Sequence, residues 1–217
     1  MRYTRYPKFH TPVARRLFVI GLLLLLMLPT VEAQRKKVGV VLSGGGAKGV
    51  AHIGVLKVLE KAGIPVDVIV GTSMGSIVGG LYAIGYSADQ LDSLVRVQDW
   101  MFLLSDKVNR YDLPFGEKEQ DGKYLLSVPF DRGKKRPSGF ISGQNVYNLF
   151  SDLTIGYHDS LDFLQLPIPF ACVAADMFHR EEIVMKGGNL VQAMRASMAI
   201  PGVFTPVRTG DRVLVDG

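Results

Sequence analysis

The sequence predicts a three-layer α/β/α domain built on a largely parallel central sheet. Three observations carry that expectation. The segment Val38-Gly39-Val40-Val41-Leu42 is short, continuously apolar and rich in β-branched residues, the pattern of a strand buried on both faces. A glycine-rich turn and a helical period follow it, and then a second buried strand, Val66–Val70. A second sharp turn, Gly71-Thr72-Ser73-Met74-Gly75, leads into a second apolar helix. Strand, helix, strand, helix at this spacing requires parallel strands joined by right-handed crossovers.

Each element has a local reason. The first turn is Ser43-Gly44-Gly45-Gly46-Ala47-Lys48-Gly49. After it Val50, Ile53, Leu56, Val58 and Leu59 recur with a helical period, while Lys57, Glu60 and Lys61 are polar. Gly63 stops that helix and Pro65 prevents its resumption. Ile77–Ile84 continues the second turn as a helix of small and apolar residues, which Gly85 ends. Ser87 caps a third helix from Ala88 to about Val97, with Leu91, Leu94 and Val95 on one face. From Asp99 to Gly143 the chain is polar and rich in turns, with weaker strand signals at Lys123–Val128; it reads as a lid or an excursion over the sheet. Asn145–Leu153 and Leu190–Met198 are expected to be helical, and Ile168–Ala175, Glu182–Lys186 and Val213–Val215 to be strands. The sequence stops at Gly217 directly after a strand, and further chain is expected beyond it.

The N-terminus is expected to be a cleavable secretory signal, residues 1–33, ahead of a single domain over 34–217. Arg2, Arg5, Lys8, Arg15 and Arg16 form a basic region before the apolar stretch Leu17–Leu28. Pro29 and Thr30 break the run, and Val31-Glu32-Ala33 presents modest side chains to a signal peptidase. The apolar run is shorter than the roughly 20 residues of a membrane span. An exported location follows: periplasm, outer membrane or secreted. Residues 1–33 hold five of the 25 basic side chains and one of the 20 acidic ones, so the remainder is close to neutral. The high isoelectric point therefore belongs largely to the leader and is no argument for nucleic-acid binding. Lys134-Lys135-Arg136 is a dense basic cluster well beyond the leader and reads as a solvated loop. The single cysteine, Cys172, lies in an apolar run and reads as a buried thiol. His52, His158 and His179 have no metal-ligand spacing, so no metal or other cofactor is expected.

Two turns carry chemistry. Gly71-x-Ser73-x-Gly75 between a buried strand and a helix is a nucleophile elbow, a turn so tight that side chains at its flanks would collide with its neighbours. A small-residue turn into a closely packed helix would use the same residues. The loop Gly44-x-Gly46-x-x-Gly49 admits two readings. It fits the dinucleotide fingerprint of an oxidoreductase, but no acid follows at the end of the second strand to hold a ribose. It also fits an oxyanion hole, in which glycine amides converge on a developing alkoxide. The pairing of the two turns favours a hydrolase, with a non-catalytic protein of the same fold as the remaining alternative. A serine nucleophile needs a base, and no histidine closes an expected strand. Asp216 does, in an Asp216-Gly217 step that also suits a plain turn; Asp176, which follows another apolar strand, is the competing carboxylate.

Taken in order, Gly44-Gly45-Gly46-Ala47-Lys48-Gly49, Gly71-x-Ser73-x-Gly75, Ala196-Ser197-x-Ala199-x-Pro201 with Phe204 and Pro206, and Asp216-Gly217 resemble the patatin-like phospholipases. The resemblance covers about Lys37 to Gly217. It implies a serine lipid acyl hydrolase, of phospholipase A or lysophospholipase type, working through a Ser–Asp dyad without histidine. Ser73 would be the nucleophile and Asp216 its base, with an oxyanion hole at Gly44, Gly45, Gly46 and Ala47 and Lys48 orienting the loop. Ser43 stands where plant patatins have Asp, and Lys48 where many members have Arg. The resemblance further implies a phospholipid or other acyl-ester substrate met at a membrane surface. In exported bacterial members the domain often precedes an outer-membrane β-barrel.

Overall fold

The computed structural model describes residue 13 and residues 16–21, 35–105, 107–108 and 139–217. Two compact units divide the chain, Met1–Lys36 and Lys37–Gly217. In the first, residues 16–21 are helical. Among the described residues no helix is long and apolar enough to cross a membrane. The expected leader (apart from those few residues), the expected strand at Lys123–Val128 and the basic cluster at Lys134–Arg136 lie outside the described residues.

The second unit has the predicted α/β/α architecture. Strands β1 (Gly39–Leu42) and β2 (Val68–Thr72) flank helix α1 (Ala51–Lys61), which a 3₁₀ turn, Gly46–Val50, precedes. Helix α2 (Met74–Ala83) leaves β2, and α3 (Ala88–Val97) and the short α4 (Trp100–Leu103) follow. The expected lid or excursion falls largely at 109–138, outside the described residues; beyond it in sequence come β3 (Gly139–Ile141), α5 (Gln144–Leu153), β4 (Leu161–Asp162) and β5 (Phe170–Asp176). The chain then runs through β6 (Glu181–Met185), β7 (Gly187–Gly188), α6 (Leu190–Ser197), β8 (Gly202–Phe204), β9 (Val207–Thr209) and β10 (Arg212–Asp216). The α3 cap is a complete capping box, in which Ser87 Oγ accepts from the Gln90 amide and the Gln90 side chain accepts from the Ser87 amide.

The main sheet has the order β1-β2-β5-β10-β9, with β6 on β5. Strands β1, β2 and β5 are parallel, whereas β6, β10 and β9 join antiparallel. The parallel part is thus the αβ portion expected from the sequence, and antiparallel strands extend it. One detail of register decides where β10 ends. Strand β6 lies along β5 from Cys172 to Asp176, which fills one edge of β5. Both β2, paired to Phe170–Val173, and β10, paired to Ala174–Asp176, must therefore share the other edge. They meet there end to end, since Val173 partners Thr72 and the next residue, Ala174, partners Asp216. The last residue of β10 is thereby delivered to the point where the chain leaves β2.

The main core packs against this sheet. Phe163, Phe170, Leu56, Ile69, Leu190 and Met194 are fully buried. Helix α2 approaches the sheet closely because two of its residues lack side chains: a Cβ on Gly79 would sit 2.8 Å from Ile69 Cγ2, and one on Gly80 2.9 Å from Met194 Sδ. Cys172 is buried in the same core, and burial pushes its thiol up to about 12, so it remains a protonated packing residue.

Candidate active site

Strand β2 ends at Thr72, and the next residue, Ser73, is already the N-cap of α2 with φ 52° and ψ −124°. The chain reverses within one residue, which a non-glycine backbone resists by about 1–3 kcal/mol. The flanking glycines make the turn feasible: a Cβ on Gly71 would strike the Gly75 carbonyl, and one on Gly75 the Leu42 carbonyl. Both backbone groups of Ser73 are tied down. Its carbonyl accepts from the Ser76 amide at 2.9 Å, the Ile77 amide at 3.3 Å and Ser76 Oγ at 2.7 Å. Its amide donates to Ser197 Oγ at 2.8 Å. The hydroxyl is left at the positive end of a helix and donates to Asp216 Oδ2 at 2.7 Å.

Asp216 is half-buried, and its amide donates to the Ala199 carbonyl at 3.0 Å. Burial raises its carboxyl above the ordinary aspartate range, partly opposed by the hydrogen bonds from Ser73 Oγ and the Gly217 amide. A carboxylate so placed is a better proton acceptor than a solvated one.

The glycine loop lies against this pair because β1 and β2 are neighbours, with Leu42 opposite Gly71. A Cβ on Gly44 would stand 3.2 Å from Ser73 Cβ. Gly45 and Gly46 take φ of 154° and 53°, conformations that favour glycine, and open the 3₁₀ turn. The Lys48 amide donates to the Gly45 carbonyl at 3.1 Å, while its side chain is exposed.

A cavity of about 440 Å³ opens beside Ser73. Gly46, Ala47 and Ser73 contribute its polar end, and the remaining wall is apolar: Trp100, Leu103 and Leu104 from α4 and its exit, Val146, Leu149 and Phe150 from α5, and Met198, Ile200, Val203 and Phe204 after α6. Sequence reasoning missed these residues. They are scattered along the chain and look like any core positions, and only the Ala196–Pro201 motif marked one stretch of the wall.

The other candidates sit elsewhere. His52 Nε2 lies 2.8 Å from the Ser43 carbonyl and His158 Nε2 2.8 Å from the Ser151 carbonyl. Asp176 is fully buried and occupied by its own turn, where it accepts from the Phe178 and His179 amides and from His179 Nδ1 at 2.7 Å. Burial alone would raise its carboxyl, but the His179 ring and the two amides outweigh burial and hold it at about 2. His179 is raised in turn by its hydrogen bond to Asp176. The stabilisation from Asp176 is therefore complete above the ordinary aspartate range and is lost as pH falls through about 2. That from His179 is complete below the ordinary histidine range and is lost as pH rises through its raised value. Asp176→Asn is expected to lower Tm most between these limits, at about pH 5, and little at pH 2; a pH-independent Tm difference in thermal melts contradicts this account. Among the described residues no group of three or more His, Cys, Asp or Glu side chains gathers as a metal site.

The arrangement has known relatives. The patatin-like phospholipase family model matches residues 40–217. The chain belongs to that family. An uncharacterised NTE family protein of Mycobacterium tuberculosis is 31% identical over 182 residues, covering 84% of this chain and 26% of the relative. Lysophospholipase NTE1 of Debaryomyces hansenii is 30% identical over 187 residues, covering 84% of this chain and 10% of its own length. The chain thus spans 26% and 10% of the length of these curated relatives. The crystal structure of VipD from Legionella pneumophila shares the patatin fold at a TM-score of 0.53 and 16% identity, covering 84% of this chain and 46% of VipD. Within a patatin-like domain the Gly44–Gly49 loop is no dinucleotide fingerprint, and the end of β2 at Thr72 offers no acid for one.

Proposed function

We propose that this patatin-like domain hydrolyses acyl esters of lipids, with Ser73 as nucleophile and Asp216 as its only protein base. The observation that carries the reading is the 2.7 Å hydrogen bond from Ser73 Oγ to Asp216 Oδ2 at the polar end of an apolar cavity. Ser73 Oγ attacks the ester carbonyl carbon and its proton passes to Asp216. The tetrahedral oxyanion rests on amides of the Gly44–Ala47 loop, near the N-terminus of the 3₁₀ turn. Collapse breaks the ester C–O bond, and the leaving alcohol takes the proton back from Asp216. Water, relieved of a proton by Asp216, then attacks the acyl-Ser73 ester and releases the fatty acid, and the proton returns to Ser73.

The acyl chain lies in the cavity, whose described wall beyond the catalytic end is apolar or aromatic. The name of the Debaryomyces relative supports a lysophospholipid as the ester, and that of the family a phospholipid. A membrane surface suits the rim, where the cavity-lining Leu104, Ile200 and Val203 are 44%, 41% and 40% exposed. Incubating the purified protein with dispersed lysophosphatidylcholine and with diacyl phospholipid vesicles is expected to release free fatty acid. Absence of release from both, and from a short-chain ester, contradicts the reading.

The mechanism needs Asp216 ionised. Burial raises its carboxyl, so kcat/KM is expected to fall with decreasing pH already above the ordinary aspartate range. A profile flat down to the ordinary range, measured on a soluble ester, contradicts this.

We also propose that residues 1–33 are an export leader. Intact mass of the exported protein is expected to place its first residue at Gln34; a membrane-embedded chain still bearing Met1 contradicts the cleavage.

A further inference from the structure

The segment leaving α6 touches both members of the Ser73–Asp216 pair, and it does so with alternate residues. Ser197 is fully buried. Its Oγ accepts the Ser73 amide at 2.8 Å and donates to the Val173 carbonyl on β5. Two residues on, the Ala199 carbonyl accepts the Asp216 amide at 3.0 Å. Met198 and Ile200, the residues between and after, line the apolar cavity.

We propose that Ser197 is a positioning residue for the dyad, and that Ser197–Ala199 sets the separation between Ser73 and Asp216. The inference rests on the catalytic reading of those two residues. A serine hydroxyl has one proton to give and lone pairs to accept with. Here the proton goes to Val173 and a lone pair takes the Ser73 amide, so the hydroxyl fixes the strained residue to the strand against which Asp216 is also paired. Val173 partners Thr72 and Ala174 partners Asp216, so this bridge lands at the junction of β2 and β10. Without the hydroxyl the Ser73 amide has lost its partner at a positive-φ residue, and the elbow is free to relax away from the carboxylate. Displacements of about 1 Å in such constellations cost roughly a hundredfold in rate.

Ser76 supplies a matched comparison. It is equally buried and equally hydrogen-bonded to Ser73, but to a carbonyl that keeps two helical amide donors when the hydroxyl is removed. The experiment compares Ser197→Ala, Ser197→Thr and Ser76→Ala with the parent protein by thermal melts, by kcat and KM on a soluble ester, and by the rate at which a fluorophosphonate labels Ser73. Ser197→Ala is expected to lower kcat and the labelling rate roughly ten- to a hundredfold with KM little changed. Ser76→Ala is expected to lose less than about threefold, and Ser197→Thr, which keeps the hydroxyl, to recover labelling towards the parent rate. Parent-like labelling of Ser197→Ala, equal losses in Ser197→Ala and Ser76→Ala, or a Ser197→Ala chain that does not fold overturns the proposal. The two readings fail separately: an inert parent protein defeats the acyl hydrolase reading, whereas an active parent with an unaffected Ser197→Ala defeats only the positioning role.

Discussion

Asp216→Asn is expected to lower kcat by roughly 10²–10⁴-fold, the range that loss of a general base produces, while His52→Ala, His158→Ala and His179→Ala each retain most of the activity. The amide is nearly isosteric with the carboxylate, so β10 keeps its pairing to Ala174 and the backbone bond to Ala199. What is lost is the ability to accept the Ser73 proton. The histidines have other work: His52 and His158 meet backbone carbonyls, and His179 serves the Asp176 turn. The decisive comparison is made on one diacyl phospholipid, with folding checked by circular dichroism. A dead histidine variant beside an active Asp216→Asn would mean a conventional triad and would contradict the dyad.

The second large effect is expected from Ser73→Ala. Removing the hydroxyl removes the attacking atom, and losses on the order of 10³–10⁶-fold accompany deletion of a serine nucleophile. The fold should survive, because the hydrogen bonds of both backbone groups of residue 73 remain available and Ala adds no bulk beside Gly44. Substrate binding should survive as well, since the apolar wall is untouched. The expected signature is thus lost turnover with retained lipid binding, measured by co-sedimentation with phospholipid vesicles and by fatty-acid release. Unchanged turnover contradicts the assignment of Ser73.

Much of this was legible in the sequence because glycine punctuates it. The runs Val38–Leu42 and Val66–Val70 announced β1 and β2, although β2 runs from Val68 to Thr72, two residues later than expected. The reason for the shift is Asp67, whose carboxylate accepts the Val38 amide at 2.7 Å and closes the entrance to the strand. Ala88–Val97 forms where its cap and apolar face place it. The helix after the elbow begins at Met74 rather than Ile77, because the tight turn leaves no intervening loop. The short strands β3, β4, β7, β8 and β9 have two or three residues each, too few for a period to register. Nor could periodicity reveal that β10 enters antiparallel and meets β2 end to end. That arrangement arises from β6 occupying the far edge of β5, a long-range choice without a local signature. Ser73 and Asp216, 143 positions apart, were named from motif and resemblance, and the structure brings them to 2.7 Å. The cavity was invisible beforehand because an apolar lining and an apolar core have the same composition.

The most direct test of the central claim is to stop turnover of a slowly hydrolysed ester and locate the acyl group by peptide mass spectrometry. The dyad mechanism predicts the acyl mass on the peptide bearing Ser73, with accumulation slowed in Asp216→Asn and abolished in Ser73→Ala. An acyl group on any other residue, or steady turnover with Ser73 never acylated, would contradict it.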